Sequence, residues 1–231
     1  MTIFEAIKQR NLEAMKVCAL TADLNEQDQY GRTPLHYAIV QKAPIEFFEE
    51  LVRLGADLYI EDKLHDTVLD KAIKFDNLPA VKVLLDKGVE LDHPEGILYT
   101  PWARARYKPE IADLLINTKG AIRLILNEEE KKLIDELLYT EISDVMKQIH
   151  RLDSPELIHA YVCSFNWDDD IDPMFALLES PLCSIVTAKE MYDLADGDNW
   201  LQEQEPEYED ERKYVSLVNR ILERFPQLAR E

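Results

Sequence analysis

Thr33-Pro34-Leu35-His36-Tyr37-Ala38 recurs 34 residues later as Thr67-Val68-Leu69-Asp70-Lys71-Ala72, and 33 residues after that as Thr100-Pro101-Trp102-Ala103-Arg104-Ala105. An earlier copy lacks the opening turn but keeps Phe4-Glu5-Ala6-Ile7, with Ala6 standing 32 residues before Ala38. A second phrase keeps step with the first: Leu54-Gly55-Ala56-Asp57, Lys87-Gly88-Val89-Glu90 and Lys119-Gly120-Ala121. Two phrases in register over the first 121 residues define a structural repeat. A unit of about 33 residues cannot bury its apolar face alone, so such units must stack on one another.

Each copy carries helix signals. Thr33 can cap a helix that opens at Pro34, where the missing amide costs nothing and φ is already helical. Glycines 55, 88 and 120 follow apolar runs such as Leu51-Val52 and Val83-Leu84-Leu85, and they suit the left-handed residue that ends a second helix. Small Ala38, Ala72 and Ala105 let neighbouring inner helices approach. The residues resemble the ankyrin repeat, whose opening turn, two antiparallel helices and projecting hairpin occupy this length. The resemblance implies about four repeats over 1–121, the first and last atypical. His65 stands where the turn glycine is expected, Asp70 replaces the repeat histidine, and the turn from His93 to Tyr99 is unusual. These departures predict altered hairpin tips, and the last repeat needs a cover.

After Ala121 the period stops. Ile122 to Leu126 is a short apolar run, and Asn127 caps a helix with Glu128, Glu129 and Glu130 in its first turn. Leu133, Ile134, Leu137, Leu138, Ile142, Val145, Met146 and Ile149 then give helical spacing, with a break near Thr140 permitted. Ser154-Pro155 opens a further helix through Val162, and Phe175–Glu179, Thr187–Ala195 and Glu209–Phe225 complete the reading. The predicted fold class is all-α: an ankyrin-repeat solenoid followed by an acidic helical domain, 122–231, packed on or near the last repeat.

The stretch from Ser154 through Asn166-Trp167-Asp168-Asp169, Ser180-Pro181-Leu182-Cys183 and Ala195-Asp196-Gly197 resembles an uncharacterised bacterial helical domain family over about residues 150–200. That family's glycine after the Asn-Trp-Asp-Asp phrase is Asp170 here, and the acidic residue after its cysteine is Ser184. The resemblance implies no activity.

Charge narrows the partner. The chain of 231 residues has 26 basic and 46 acidic side chains, a net charge of −20. Residues 1–121 carry 15 basic and 20 acidic groups, and residues 122–231 carry 11 and 26, so the halves stand at −5 and −15. Such a field repels phosphate backbones and anionic lipid and draws in basic proteins. The Glu203, Glu205, Glu207, Glu209, Asp210 and Glu211 run reads as a solvated linker or an electrostatic lure. Hydrophobic residues make up 46% of the chain, enough for a core, and no apolar stretch approaches a membrane span. The N-terminus has no cationic segment leading into an apolar run, and three cysteines form no CxxC. These features predict a cytoplasmic protein with reduced thiols.

Chemistry is thinly represented. Only 6 glycines argue against phosphate-cradling loops. Asp168, Asp170, Asp172 and Glu179 have calcium-loop spacing, but Pro173 occupies the position that needs glycine and more naturally opens a helix. Cys163 and His159 stand one helical turn apart, a spacing common by coincidence and without an evident oxyanion hole. Asp168, Asp169 and Asp196 would serve a hydrolase only if they converged. We therefore expect no catalytic residues, metal or cofactor.

The ankyrin resemblance implies partner binding through hairpin tips and the inner-helix face. Those positions are Gln29, Tyr30, Arg32, Val40 and Gln41; then Lys63, Leu64, Asp66, Lys74 and Phe75; then Ile97, Tyr99, Tyr107 and Lys108. Repeats, an attached bacterial domain and concentrated acidity together suggest a toxin-immunity protein that binds a basic toxin such as a nuclease. An adaptor for an unrelated protein is the rival reading.

Overall fold

The computed structural model describes residues 1–123, 125–202 and 208–229. The chain divides into two compact units, one formed by residues 1–90 and 101–119, the other by 91–100 and 120–231. All regular structure among the described residues is helical.

The first unit contains four helix pairs: α1 (Ile3–Lys8) and α2 (Leu12–Ala19), α3 (Pro34–Val40) and α4 (Ile45–Arg53), α5 (Val68–Lys74) and α6 (Leu78–Asp86), α7 (Pro101–Arg104) and α8 (Pro109–Ile116). Inner helices pack α1 on α3, α3 on α5 and α5 on α7, while outer helices pack α2 on α4, α4 on α6 and α6 on α8. Ala6, Ala38, Ala72 and Ala105 are buried, as the need for close approach of the inner row predicts. Ile7, Leu35, Ile39, Leu51, Ile73 and Leu84 fill the space between the rows. Gly55, Gly88 and Gly120 all have positive φ, in agreement with their assignment as helix stops. The inner helices end on left-handed residues that are not glycine: Arg10, Lys42 and Asp76.

The second unit contains α9 (Glu128–Leu138), α10 (Ile142–Gln148), α11 (Pro155–Ser164), α12 (Asp172–Glu179), α13 (Ile185–Leu194), α14 (Gly197–Trp200) and α15 (Glu209–Arg224). Asn127 caps α9 as expected: its Oδ1 accepts from the Glu129 and Glu130 amides at 3.0 and 2.9 Å. Glu130 returns a carboxylate to the Asn127 amide at 2.8 Å. Ser154 Oγ accepts from the Leu157 amide at 3.3 Å. The periodic run from 133 to 149 is two helices, with the turn at 139–141 between them. The core gathers Ile158, Tyr161 and Val162 of α11 with Met174, Leu178, Ala188, Met191, Leu217 and Ile221. Leu124 and the acids Glu203, Glu205 and Glu207 lie outside the described residues.

Segment 91–100, which the repeat register assigns to the opening turn of the fourth repeat, belongs to the second unit through Asp92. The Asp92 carboxylate accepts from the Ile185 and Val186 amides at 2.7 and 3.0 Å and so caps α13 from 93 residues away. Burial lifts the Asp92 carboxyl above the usual range despite these donors.

The hairpin of the second repeat contains a close backbone approach at Gly31. Gly31 has φ +74°, and a Cβ there would lie 2.8 Å from the Lys63 amide nitrogen. Gly88 has a similar φ of +72° with open space around it. Gly88→Ala should therefore cost about 1 kcal/mol of strain alone, whereas Gly31→Ala adds a backbone clash and should cost at least about 2 kcal/mol. Urea unfolding followed by circular dichroism checks this, and equal losses would contradict the packing described.

Candidate functional site: the hairpin tips of the repeats

Two hairpins, 28–32 and 62–66, are built on the same plan. Asp28 Oδ1 accepts from the amides of Tyr30 and Arg32 at 2.8 and 3.0 Å. Asp62 Oδ1 does the same for Leu64 and Asp66 at 2.9 and 3.2 Å. The first backbone bond of each, Asp28 to Arg32 and Asp62 to Asp66, is 3.0 Å long. His65 takes the place of Gly31 and adopts φ +56°. The expected alteration of this tip is thus not seen: the histidine accepts the left-handed conformation because the Asp62 turn holds the backbone on both sides. At 93–99 the turn is different, with His93 stacked on Tyr99 at 5.5 Å and Gly96 at φ +104°.

Adjacent tips are tied to each other. The Lys63 amide donates to the Tyr30 carbonyl at 3.1 Å. Gln27 Nε2 donates to the carbonyls of Gly31 and Glu61 at 2.7 and 2.9 Å. His36 links one hairpin to the next. Its Nδ1 accepts from the Thr33 amide at 3.3 Å, which leaves the proton on Nε2 to donate to the Asp66 carbonyl at 3.1 Å. Burial pulls the His36 pKa below its ordinary value and keeps the ring neutral.

Asp70, in the histidine position of the next repeat, solves the same problem with charge. Its carboxylate accepts from the Thr67 amide and hydroxyl at 2.9 and 2.8 Å. It reaches the following repeat through Arg104 at 3.3 Å. Lys71, 4% exposed, bridges Asp62 and Asp66 at 2.7 and 2.5 Å. Lys74 and Arg104 also reach Asp66, at 3.1 and 3.4 Å. Three aspartates thus meet three cations beneath the hairpins. Burial opposes ionisation of Asp62 and Asp66, but hydrogen bonds from the lysines outweigh it and hold both carboxyls below the usual range. Burial likewise opposes the Lys71 charge, and the two aspartates more than offset it.

Against this frame the fourteen expected binding residues separate. Tyr30 and Leu64 occupy equivalent tip positions and are 55% and 67% exposed. Gln29 and Lys63 beside them are also exposed. Arg32 grips Asp28 through Nε at 2.9 Å, and its guanidinium lies 4.6 Å from the Tyr30 ring centroid and 5.2 Å from that of Tyr37. It supports Tyr30 from below. Asp66 requires a correction: it is buried and fully engaged by Lys71, Lys74 and Arg104, so it holds the hairpin and presents no carboxylate to a partner. Val40 and Gln41 are half-buried at the end of α3, and Lys74 and Phe75 are exposed at the end of α5. Tyr107, 84% exposed, lies under Arg106, while Lys108 Nζ donates to the Lys74 carbonyl at 3.3 Å. Ile97 and Tyr99 belong to the second unit.

The chemical candidates of the second unit lack activating geometry. Cys163 Sγ lies 3.5 Å from His159 Nε2. Burial lowers His159 to about 4. Burial, aided by the Glu190 carboxylate, pushes the Cys163 thiol up to about 12, so the pair favours thiol over thiolate. Asp170 and Asp172 share Lys213 at 2.6 and 2.9 Å, and Pro173 stands in the first turn of α12. Among the described residues no group of three or more His, Cys, Asp or Glu side chains is arranged to hold a metal, and no helix is long and apolar enough to cross a membrane.

Two measurements probe the hairpin supports. Lys71→Met removes the central cation from beneath two buried carboxylates and should lower stability by about 3–5 kcal/mol, read from denaturant midpoints. Stability should also fall as pH drops below about 6.5, because the unfolded chain protonates its histidines while folded His36 and His159 resist. The loss continues toward pH 4, and a flat midpoint between about pH 7 and pH 5 would contradict the burial of both rings.

Comparison with known proteins finds two families along the chain. Residues 3–95 match the family model described as ankyrin repeats (3 copies), and residues 153–225 match the one described as a domain of unknown function (DUF4274). An ankyrin repeat protein of Rickettsia bellii (strain RML369-C) is 31% identical over 101 residues, covering 42% of this chain and 56% of the relative. A Danio rerio protein named for a palmitoyltransferase, ZDHHC13, is 33% identical over 109 residues, 46% of this chain and 16% of its own length. The chain therefore spans about half of the first relative and about a sixth of the second. Ankyrin-repeat similarity thus lies in the N-terminal part of the chain, and DUF4274 similarity follows it.

Proposed function

We propose that the chain is a non-enzymatic binding protein that neutralises a basic bacterial toxin, acting as its immunity protein in the cytoplasm. Ankyrin repeats support protein–protein interaction. The observation that carries the reading is the exposure of Tyr30 and Leu64 at equivalent tips whose backbones are locked from below. Rigid, exposed tips lose little conformational entropy when they are covered, which is where an interface gains affinity. Tyrosine supported by arginine is a common anchor of this kind.

The charge of the chain supports a basic partner. A net −15 over residues 122–231 would steer a cationic protein and compete with the nucleic acid on which a nuclease toxin acts. The same field disfavours nucleic acid as a direct ligand.

Co-expression with the product of the neighbouring gene tests the reading. The expected result is rescue of growth and a complex of nanomolar affinity that weakens as salt rises. Tyr30→Ala and Leu64→Ala should each weaken it by about tenfold. A complex with an unrelated protein, insensitive to salt, would favour an adaptor, and failure of the neighbouring product to bind or be neutralised would overturn the immunity role.

A further inference from the structure

In the second unit, the turn between α9 and α10 and the segment that follows α11 enclose an open cleft of about 290 Å³. Leu138, Ile142 and Phe165 supply its apolar walls. Its polar groups are Tyr139, Thr140, Glu141, Tyr161, Asn166 and Asp169, and no Lys, Arg or His lines it.

Tyr161 is the informative member. The residue is 1% exposed, among the most deeply buried of the large side chains. Its hydroxyl makes no hydrogen bond with any described residue. Yet no side-chain polar atom that is wholly sealed among the described residues lacks a partner. The hydroxyl therefore keeps a sliver of accessible surface, and Tyr161 is one of the residues that line the cleft. A buried hydroxyl is ordinarily satisfied, and one left to the cleft marks a place for an outside donor or acceptor.

The surroundings specify which. Asp169 and Glu141 are exposed carboxylates for which no cation is found among the described residues. Asp169 is near enough to Tyr161 to raise the pKa of its hydroxyl, which burial and that charge together push up to about 12. The turn that presents Asn166 and Asp169 is fixed from behind. Trp167 Nε1 donates to the Val162 carbonyl at 3.3 Å, the Trp167 ring meets Phe165 edge-on at 6.1 Å, and the Tyr214 hydroxyl donates to the Trp167 carbonyl. The Asp169 amide closes the turn on the Asn166 carbonyl at 3.0 Å. Asn166 and Asp169 are the first and last residues of the Asn-Trp-Asp-Asp phrase, so the middle of the phrase anchors while its ends face the cleft.

We propose that this cleft binds one organic cation, a primary ammonium or a guanidinium carried on an apolar stem. The stem lies along Leu138, Ile142 and Phe165; the head donates to the Tyr161 hydroxyl and the Asp169 carboxylate, with Glu141 at the rim. The volume suits a group the size of a lysine or arginine side chain. Aromatic rings beside a carboxylate favour such heads over neutral ones. The cation comes either from a side chain of a protein or from a free small amine, and the inference stands apart from the toxin-binding proposal because its test uses small cations and no toxin.

Calorimetric titration of the full chain with Nα-acetyl-arginine amide, Nα-acetyl-lysine amide, agmatine and cadaverine, with Nα-acetyl-citrulline amide as the neutral isostere, tests the site. Saturable binding of at least one cation is expected, together with at least tenfold weaker binding of citrulline. Preference for the acetylated amides assigns the cation to a polypeptide, and preference for agmatine or cadaverine assigns it to a small molecule. Asp169→Asn, at an exposed position that leaves the fold intact, should weaken binding about tenfold, as should Tyr161→Phe, while Asp168→Asn should not. The absence of saturable binding by all four cations, equal binding of citrulline, or unchanged affinity in Asp169→Asn would overturn the proposal.

Discussion

The repeat unit depends on a neutral cluster of charges built around three buried aspartates and the buried Lys71. Asp62, Asp66 and Asp70 face Lys71, Lys74 and Arg104 beneath the hairpins, and each aspartate also fixes backbone: Asp62 its own turn, Asp66 the link from His36, Asp70 the start of α5. A buried pair of this kind contributes little net stability over an apolar substitute, but losing one partner leaves an uncompensated charge. The cluster therefore specifies geometry more than it adds free energy. It keeps successive hairpins at one spacing, which sets where Tyr30 and Leu64 stand.

Much of this was legible in the repeat phrase and some was not. Local chemistry dictates the caps: Asn127 and Ser154 cap their helices as the sequence predicts, and Thr67 with Asp70 forms a further capping pair. Burial of the four alanines follows from the packing of equivalent helices. The partnership of Asp70 with Arg104 joins residues 34 apart, as the repeat length allows, but the substitution of aspartate for histidine gives no hint of its new partner. The ankyrin resemblance alone places Asp66 at a binding position of the hairpin. Only the inward direction of Lys71 turns it into part of the support.

In the second unit the helices were readable and their meetings were not. Periodicity placed α9, α11 and α15 within a few residues, since each carries its own apolar stripe and cap. No local rule pairs Asp92 with the start of α13, 93 residues on, because a helix terminus accepts a carboxylate from any direction. The cleft is hidden for the same reason. It joins the turn at 139–141 to a phrase more than twenty residues later, and the open hydroxyl of Tyr161 is a property of that meeting.

Amide hydrogen exchange of the free protein measures the central claim most directly. If the charge cluster and the inter-hairpin bonds hold the tips rigid, the amides of Tyr30, Arg32, Lys63, Leu64 and Asp66 exchange nearly as slowly as those within α5. Exchange of these amides at the rate of an unstructured peptide, while α5 stays protected, would contradict it.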